Sequence, residues 1–185
     1  TIDANTSTGN LTISNVNTVA TGATIILGAG NDVYNVATSN GADKITLGAG
    51  ADKIVYSNVA QSDTDMDTIT DFKQGKDTLD LIAVGVATGA VFVGNKATFA
   101  QAQGALKGGG VGPGTVSAVF QQDEKILWVD TNIDGTLDSR DFRIKLDGIT
   151  ALTAADLGFT AGVTFTASVA GFDTTSTTDS TEGDA

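Results

Sequence analysis

Apolar positions recur along this chain in short units of nine residues. The clearest pair runs from Thr38 to Val55, where TSNGADKIT is followed in register by LGAGADKIV, and LGAGNDVYN from Leu27 to Asn35 is a third copy. One large apolar residue follows an Asp by two positions in every copy, so the pattern predicts very short strands that become stable only by stacking on their neighbours. These apolar residues are Tyr34, Ile45 and Ile54.

Small residues and carboxylates occupy the turns between the apolar positions. Glycine allows tight turns, while Asp side chains and loop carbonyls offer the oxygen ligands that Ca²⁺ prefers. The repeats therefore predict a calcium-binding array, and the alternative is a series of Gly-Asp turns closed by water alone. The turn residues concerned are Gly28, Gly30 and Asp32, then Gly41 and Asp43, then Gly48, Gly50 and Asp52.

Two such units form one coil, which places loops on the same edge about 18 residues apart. Asp32 and Asp52 are 20 residues apart, because the step from Asp32 to Asp43 has 11 residues instead of nine. We expect one ion between the loops that end at Asp32 and Asp52, and a second site around Asp43 on the opposite edge. Two carboxylates about 4 Å apart repel by roughly 4 kcal/mol at an effective dielectric of about 20, and a divalent ion reverses that sign.

The segment SDTDMDTITDFKQGKDTLDL, which follows the repeats, carries six Asp residues. It predicts that an Asp between residues 63 and 67 completes the site on the opposite edge. We expect Asp67 and Asp71 to bind calcium at the end of the last coil. Asp77 and Asp80 are expected only to accept hydrogen bonds from loop amides, which is the commoner role of an isolated Asp.

A separate acidic motif, DTNIDGTLDSRD, has the spacing of a twelve-residue EF-hand loop. Its flanks, ILWV and FRIKL, are rich in β-formers, and an Asp at position 12 has a shorter reach than the usual Glu. We interpret the motif as a calcium-bound hairpin loop, and the alternative is a polar loop closed by Asx turns. The predicted ligands are Asp130, Asn132, Asp134, the Thr136 carbonyl, Asp138 and Asp141, with Gly135 at the turn position.

The remaining sequence predicts further strands and one helix. KATFAQAQGALK has apolar residues at helical spacing over residues 97–106, with Thr98 as the N-cap. TVSAVFQQ and KILWVD read as a strand pair, FRIKLDG as another strand, and the alternation in FTAGVTFTASV predicts a strand from residue 159. Trp128 lies in an apolar strand and is expected in the core. The final DTTSTTDSTEGDA is predicted to be disordered.

Composition restricts the possible chemistry. Of 22 acidic residues only Glu124 and Glu182 are Glu, which leaves 20 Asp, and the net charge is -12. Such a charge opposes binding to nucleic acid, and no apolar run reaches membrane-spanning length. Because the chain has neither His nor Cys, zinc-protease, Ser-His-Asp and Cys-His chemistry are excluded. We find no active site and expect a protein that is not an enzyme.

LGAGNDVYN, GADKITLGAGADKIV, DTITDFKQGKDTLDL and the stretch from Trp128 to Leu157 together resemble the C-terminal region of RTX proteins. These hemolysin-type calcium-binding proteins leave bacteria by type I secretion and include serralysin-type proteases and surface-layer proteins. The resemblance implies an all-β fold, namely a parallel β-roll followed by an antiparallel β-sandwich cap with one short helix. The predicted division is a roll over 1–61, a cap over 62–172 and a tail over 173–185.

The resemblance also implies folding on calcium outside the cell and a C-terminal region read by the type I secretion machinery. Thr-, Ala-, Gly- and Asp-rich composition and the long tail favour a surface-layer protein at the bacterial cell surface, which self-assembles into a lattice. The alternatives are the C-terminal RTX domain of a secreted enzyme, such as a protease or lipase, and part of a large adhesin.

Overall fold

The computed structural model describes residues 1–14, 21–36, 41–57, 65–81, 90–108 and 116–159. The strand predicted from residue 159 and the predicted disordered tail fall at 160–185, outside the described residues. None of the helices among the described residues is long and apolar enough to cross a bilayer.

The first half of the chain winds into a parallel β-roll of about four turns. Successive strands alternate between two sheets, so that odd-numbered strands pair with one another and even-numbered strands do the same. Every pairing within the roll is parallel and in register, for example Ile25 with Ile45 and Tyr34 with Ile54. The strands are β1 (Ile2–Asp3), β2 (Thr12–Ser14), β3 (Thr24–Ile26), β4 (Val33–Asn35), β5 (Lys44–Thr46), β6 (Lys53–Val55), β7 (Asp67–Ile69) and β8 (Thr78–Asp80).

The strands are only two or three residues long, and β2 to β6 and β8 each contribute one central apolar side chain to the space between the sheets. In β7 the buried apolar residue is the last one, Ile69. The repeated apolar position thus forms a continuous column of side chains, and stacking supplies the contacts that one coil lacks. The fully buried members of this column are Ile25, Tyr34, Ile45, Ile54, Ile69 and Leu79.

The second half adds an antiparallel hairpin and one helix to the larger sheet of the roll. Strand β12 pairs in parallel with β7 and antiparallel with β11, so the sheet order is β1-β3-β5-β7-β12-β11-β10-β9. The predicted fold class is therefore confirmed. The added elements are β9 (Val91–Lys96), α1 (Phe99–Gly108), β10 (Ser117–Gln121), β11 (Ile126–Asp130) and β12 (Phe142–Leu146).

The larger sheet shows how the two halves are joined. Parallel pairing does not stop at residue 61, where the predicted roll ends, but continues into β7 and β8. Leu127, Val129 and Ile144 lie in the same buried cluster as the roll's apolar column. The hairpin therefore closes the end of the roll by extending one of its sheets.

Helix α1 covers the other face of this hairpin. Thr98 caps the helix, as predicted, because its Oγ1 accepts from the backbone N–H of Gln101 at 3.4 Å. Ala102 and Leu106 pack with Trp128 and Leu137 in a second, smaller core. Trp128 is buried, as predicted. Helix α1 thereby reaches the acidic loop that contains Leu137.

A short 3-10 helix, Ala154–Leu157, fastens the end of the described chain to the roll. Buried Asp156 accepts from the Gly75 N–H at 2.7 Å through Oδ1 and from the Thr153 N–H at 2.7 Å through Oδ2. Two segments 81 residues apart in sequence are therefore linked by one carboxylate.

Candidate metal sites

On one edge of the roll, Asp32, Asp52 and Asp77 form a stack of carboxylates that we call the carboxylate ladder. Each accepts a hydrogen bond through Oδ1 from a backbone N–H one coil earlier: from Leu11 at 2.9 Å, from Asp32 at 2.8 Å and from Asp52 at 3.1 Å, respectively. Parallel stacking creates this arrangement, because the same turn position of each coil lies directly above that of the coil before it. The predicted pairing of the Asp32 loop with the Asp52 loop is what the structure shows.

Glycines set how closely these turns stack. Gly48 and Gly50 have φ values of 86° and 141°, a region that side chains other than glycine rarely adopt. A Cβ at Gly48 would lie 2.1 Å from the Gly28 carbonyl oxygen, and one at Gly50 would lie 1.9 Å from the Gly30 carbonyl oxygen. Successive turns therefore stack this closely only because no side chain stands between their backbones.

On the opposite edge, Asp43 and Asp67 repeat the arrangement. Asp43 accepts from the Ala23 N–H at 2.6 Å, and Asp67 accepts from the Asp43 N–H at 2.7 Å. Tyr56 donates its hydroxyl to Asp67 Oδ2 at 2.8 Å. Burial raises the pKa of Asp67 to about 7. Of the candidates Asp65 and Asp67, the structure thus places Asp67 against the Asp43 turn, which contains buried Gly41, and the third candidate, Asp63, lies outside the described residues.

Residues 71–77 lie at the end of the roll, on the edge that carries the carboxylate ladder. Asp71 accepts from the N–H groups of Leu47 and Gly48, at 2.7 and 2.8 Å. Lys73 donates its ammonium group to the Gly48 carbonyl. Asp77 also accepts from the Lys73 N–H at 2.8 Å, which confirms its predicted role as an acceptor for loop amides. A basic side chain therefore already lies at the last of these turns.

Two carboxylates of the roll have an oxygen with no protein partner. Asp43 and Asp52 are both about 98% buried, and among the described residues no donor reaches their Oδ2 atoms. Burial raises the pKa of both groups, and for Asp52 the charges of Asp77 and Asp32 add to that effect. A buried carboxylate oxygen without a donor is unfavourable, so these atoms fit a cation as their missing partner.

The acidic hairpin loop between β11 and β12 has a similar atom. Asp130 is buried, its Oδ2 accepts from the Gly135 N–H at 3.0 Å, and its Oδ1 has no partner within the described part of the chain. At the other end, Asp141 accepts from the N–H groups of Thr131 at 3.2 Å and Asp138 at 2.9 Å. Burial and then the charge of Asp130 raise the pKa of Asp141 to about 6. The two buried carboxylates therefore face a common interior.

The other predicted ligands of this loop do not join that pair. Asp134 and Asp138 bind the guanidinium of Arg140 through Nη2, at 2.8 and 2.6 Å. These bonds lower the pKa of Asp138. Asn132 accepts from the Asp134 N–H at 3.1 Å, and Asp134 accepts from the Thr136 N–H at 2.8 Å, so Asx turns shape this half.

In the described ranges no three carboxylates converge on one point. The roll places carboxylates on successive coils, with Asp32, Asp52 and Asp77 on one edge and Asp43 and Asp67 on the other. Further oxygen ligands of a calcium site there would come from backbone carbonyls or water. Sequence reasoning missed Arg140 and Asp156. The signal for Arg140 in the sequence was a basic residue inside an acidic loop. Asp156 belonged to the stretch from Trp128 to Leu157, which was used only for its resemblance to RTX proteins.

Comparison with known proteins gives one family. The family described as Peptidase M10 serralysin C terminal matches residues 3–159. A solved structure that matches is the solution structure of the AlgE6R3 subunit of a mannuronan C5-epimerase from Azotobacter vinelandii. Its TM-score is 0.41 and its identity 17%, over 100% of this chain and 98% of that one. Curated protein sequences gave no match.

Proposed function

Because the chain belongs to the serralysin C-terminal family of RTX-type domains, we propose that it is a calcium-binding module that folds when calcium fills the turns of its roll. One observation carries the proposal: Asp43 and Asp52 each keep a buried carboxylate oxygen without a donor among the described residues. Calcium is a hard cation that takes carboxylate and carbonyl oxygens, and both occur at these turns. Bound calcium supplies the charge that neutralises the buried Asp side chains.

Charge couples this binding to folding. The net charge is -12, and stacking the coils brings Asp side chains together in pairs, so the metal-free chain is opposed by its own repulsion. Since the pairs form only when coils stack, the free energy of calcium binding becomes free energy of folding. A chain of this kind stays extended where calcium is scarce and folds where calcium reaches about 10⁻⁴ to 10⁻³ M, the affinity range of extracellular sites.

Circular dichroism during a calcium titration, with metal content measured in parallel, tests the proposal. We expect β-structure to appear with bound calcium, and Asp52→Asn to raise the calcium concentration at the midpoint by about tenfold or more. Asp147→Asn is the matched control, because Asp147 follows β12, outside the turns of the roll, and its carboxylate forms a long ion pair with Lys145, at 3.9 Å. A wild-type chain that is fully folded in chelator contradicts the proposal.

The wider role we propose is that of a non-catalytic module in a secreted surface-layer protein. The family contains type I-secreted proteins, and the acidic surface and the Thr- and Ala-rich composition support a place at the bacterial cell surface. In such a lattice, calcium bridges acidic faces of neighbouring subunits, and the C-terminal region is read by the secretion machinery. Electron microscopy of the folded protein at increasing calcium tests assembly, and a monomer at every concentration contradicts it.

A second candidate is the C-terminal domain of a secreted enzyme. The family match favours this alternative, since its description refers to the C-terminal part of a peptidase. Catalysis then lies in sequence outside these 185 residues. An HExxH or GxSxG motif in the same gene product supports the enzyme, whereas a long Thr-rich repeat array supports the surface layer and tandem β-sandwich domains support an adhesin.

A further inference from the structure

Arg140 lies inside the acidic hairpin loop and binds two of its predicted calcium ligands. Its Nη2 contacts Asp134 Oδ2 at 2.8 Å and Asp138 Oδ2 at 2.6 Å, and its Nε contacts Asp138 Oδ1 at 3.1 Å. Both oxygens of Asp138 are therefore engaged by one guanidinium. A planar guanidinium suits such a two-point contact, which a lysine cannot reproduce.

The loop is consequently divided into two halves. In the outer half, Arg140 neutralises Asp134 and Asp138. In the inner half, Asp130 and Asp141 are buried, and Asp130 Oδ1 lacks a partner among the residues that the structure describes. The Asp130 carboxylate faces the loop, because its other oxygen accepts from the Gly135 N–H. The inner half thus points to a cation, while the outer half already holds one.

We propose that Arg140 is a tethered cation that holds the calcium-free loop in shape and competes with calcium for Asp134 and Asp138, so that it sets the calcium affinity of this loop. The proposal rests on the proposed function, because it requires the loop to bind calcium. When calcium enters, the Arg140 side chain leaves the two carboxylates and turns to solvent, to which it is already 64% exposed.

The loop is also supported by contacts that do not involve Arg140. On the inner side it is held by the hydrogen bonds of Asp130 and Asp141 to loop amides. On the helix side, Gln103 of α1 donates to the Gly135 carbonyl at 2.8 Å and accepts from the Leu137 N–H at 2.7 Å. Removing the guanidinium therefore frees two carboxylates and loosens the outer half of the loop, while these other contacts remain.

The opposite signs of two effects make the proposal specific. Without Arg140 the metal-free loop loses the cation between Asp134 and Asp138, so its order falls. The same change removes the competitor, so calcium affinity rises, by about three- to tenfold for ion pairs as exposed as these. A purely structural residue would lower both quantities when it is removed.

Terbium luminescence provides a readout confined to this loop. Trp128 is the only Trp in the chain and lies in β11, two residues before Asp130, whereas the tyrosines Tyr34 and Tyr56 belong to the roll. Excitation that Trp absorbs and Tyr does not therefore reports terbium in the hairpin loop. Calcium added to the terbium-loaded protein then gives the calcium affinity of the loop by displacement.

The experiment compares four full-length proteins: wild type, Arg140→Gln, Arg140→Lys and Lys145→Gln. Lys145 is the charge control, because it lies in β12, outside the acidic loop, and its ammonium group forms an ion pair with Asp147 at 3.9 Å. We expect Arg140→Gln to bind calcium three- to tenfold more tightly, Arg140→Lys to be intermediate, and Lys145→Gln to stay within about twofold of wild type. Hydrogen exchange in chelator should show a faster Thr136 amide in Arg140→Gln.

Two outcomes are distinguishable failures. If wild type gives no Trp-sensitised signal that calcium displaces, the loop does not bind calcium, and its part of the proposed function fails together with this inference. If wild type binds but Arg140→Gln binds with equal or lower affinity while its circular dichroism is unchanged, the inference alone is overturned.

Discussion

The roll and the hairpin loop both place Asp side chains in pairs, but they hold them by different means. In the roll each carboxylate is oriented by an amide of the preceding coil, as Asp52 is by the Asp32 N–H. In the hairpin the carboxylates bind amides of their own loop, as Asp141 does, and the flanking strands are part of an apolar core. The candidate sites of the roll therefore depend on long-range stacking, whereas the candidate ligands of the loop all lie within one hairpin.

This difference separates two uses of a cation. Under the proposed function, calcium binding and folding are one equilibrium at the roll, because no carboxylate pair forms without the coils. At the hairpin we expect calcium to bind a loop whose ligands lie within one hairpin, and so to adjust that loop. Each region also holds one basic side chain near its carboxylates: Lys73 lies at the last turn of the roll, and Arg140 lies within the loop.

The largest difference in stability between the two regions is expected when one glycine in each is replaced by alanine. Gly50→Ala puts a Cβ 1.9 Å from the Gly30 carbonyl oxygen at a φ of 141°, and should lower the free energy of unfolding by about 3 kcal/mol or more. Gly135→Ala has a φ of 72° and no atom within 4 Å of the added Cβ, so about 1–2 kcal/mol is expected. Urea unfolding in saturating calcium measures both, and equal losses would contradict the close stacking of the roll.

A pH series in chelator should separate the regions next. The folded-state pKa values of Asp67 and Asp141, about 7 and about 6, lie above their unfolded values, so folding disfavours the ionised forms. In chelator the folded state is therefore most favoured below pH 4, and it becomes less favoured as the pH rises to about 7 for Asp67 in the roll and to about 6 for Asp141 in the hairpin. Keeping Asp67 ionised in the folded state costs about 4 kcal/mol at most. Circular dichroism in chelator at pH 4 and pH 8 tests the sign: more β-structure is expected at pH 4, and more at pH 8 contradicts it.

Asp130→Asn should sharpen the comparison further. The substitution removes the charge of Asp130 from the inner half of the loop. The affinity for terbium, measured by the Trp-sensitised signal, should therefore fall by about tenfold or more. Because the roll sites are separate, the calcium midpoint measured by circular dichroism should stay within about twofold of wild type. A large shift in that midpoint would show that the hairpin, too, folds only with its cation.

The smallest effect is expected at Gln103. Gln103→Leu removes two hydrogen bonds that join α1 to the acidic loop, which should cost about 1 kcal/mol and weaken loop calcium binding severalfold. Gln122→Leu is the matched control, since Gln122 also donates to a backbone carbonyl, that of Thr150, outside the loop. Weaker terbium binding in the control alone would contradict the role of Gln103.

Much of the roll was predictable because its information is local. The nine-residue period fixes which side chain of each strand is buried, and the prediction that Tyr34, Ile45 and Ile54 form a core is confirmed. The predicted ligands Asp32, Asp43 and Asp52 lie at stacked turns for the same reason. Whether these residues bind calcium stays a prediction.

The sequence did not predict how the regions join. Pairing of β12 with β7 connects residues more than 70 positions apart, as Leu146 with Ile69, and no local pattern encodes such a contact. The direction of the Arg140 side chain depended likewise on where the folded loop placed Asp134 and Asp138. A twelve-residue motif gives ligand types, but not whether they converge.

The amino-acid sequence by itself therefore determined the coil, its buried column and the chemistry at each turn, because periodicity and residue type act over a few neighbouring positions. Only the tertiary structure decided that the hairpin extends the roll's sheet, that Asp156 accepts a hydrogen bond from the Gly75 N–H, and that a guanidinium lies among the loop's carboxylates. These contacts join segments whose separation in sequence carries no periodic signal, so packing of the whole chain selects them.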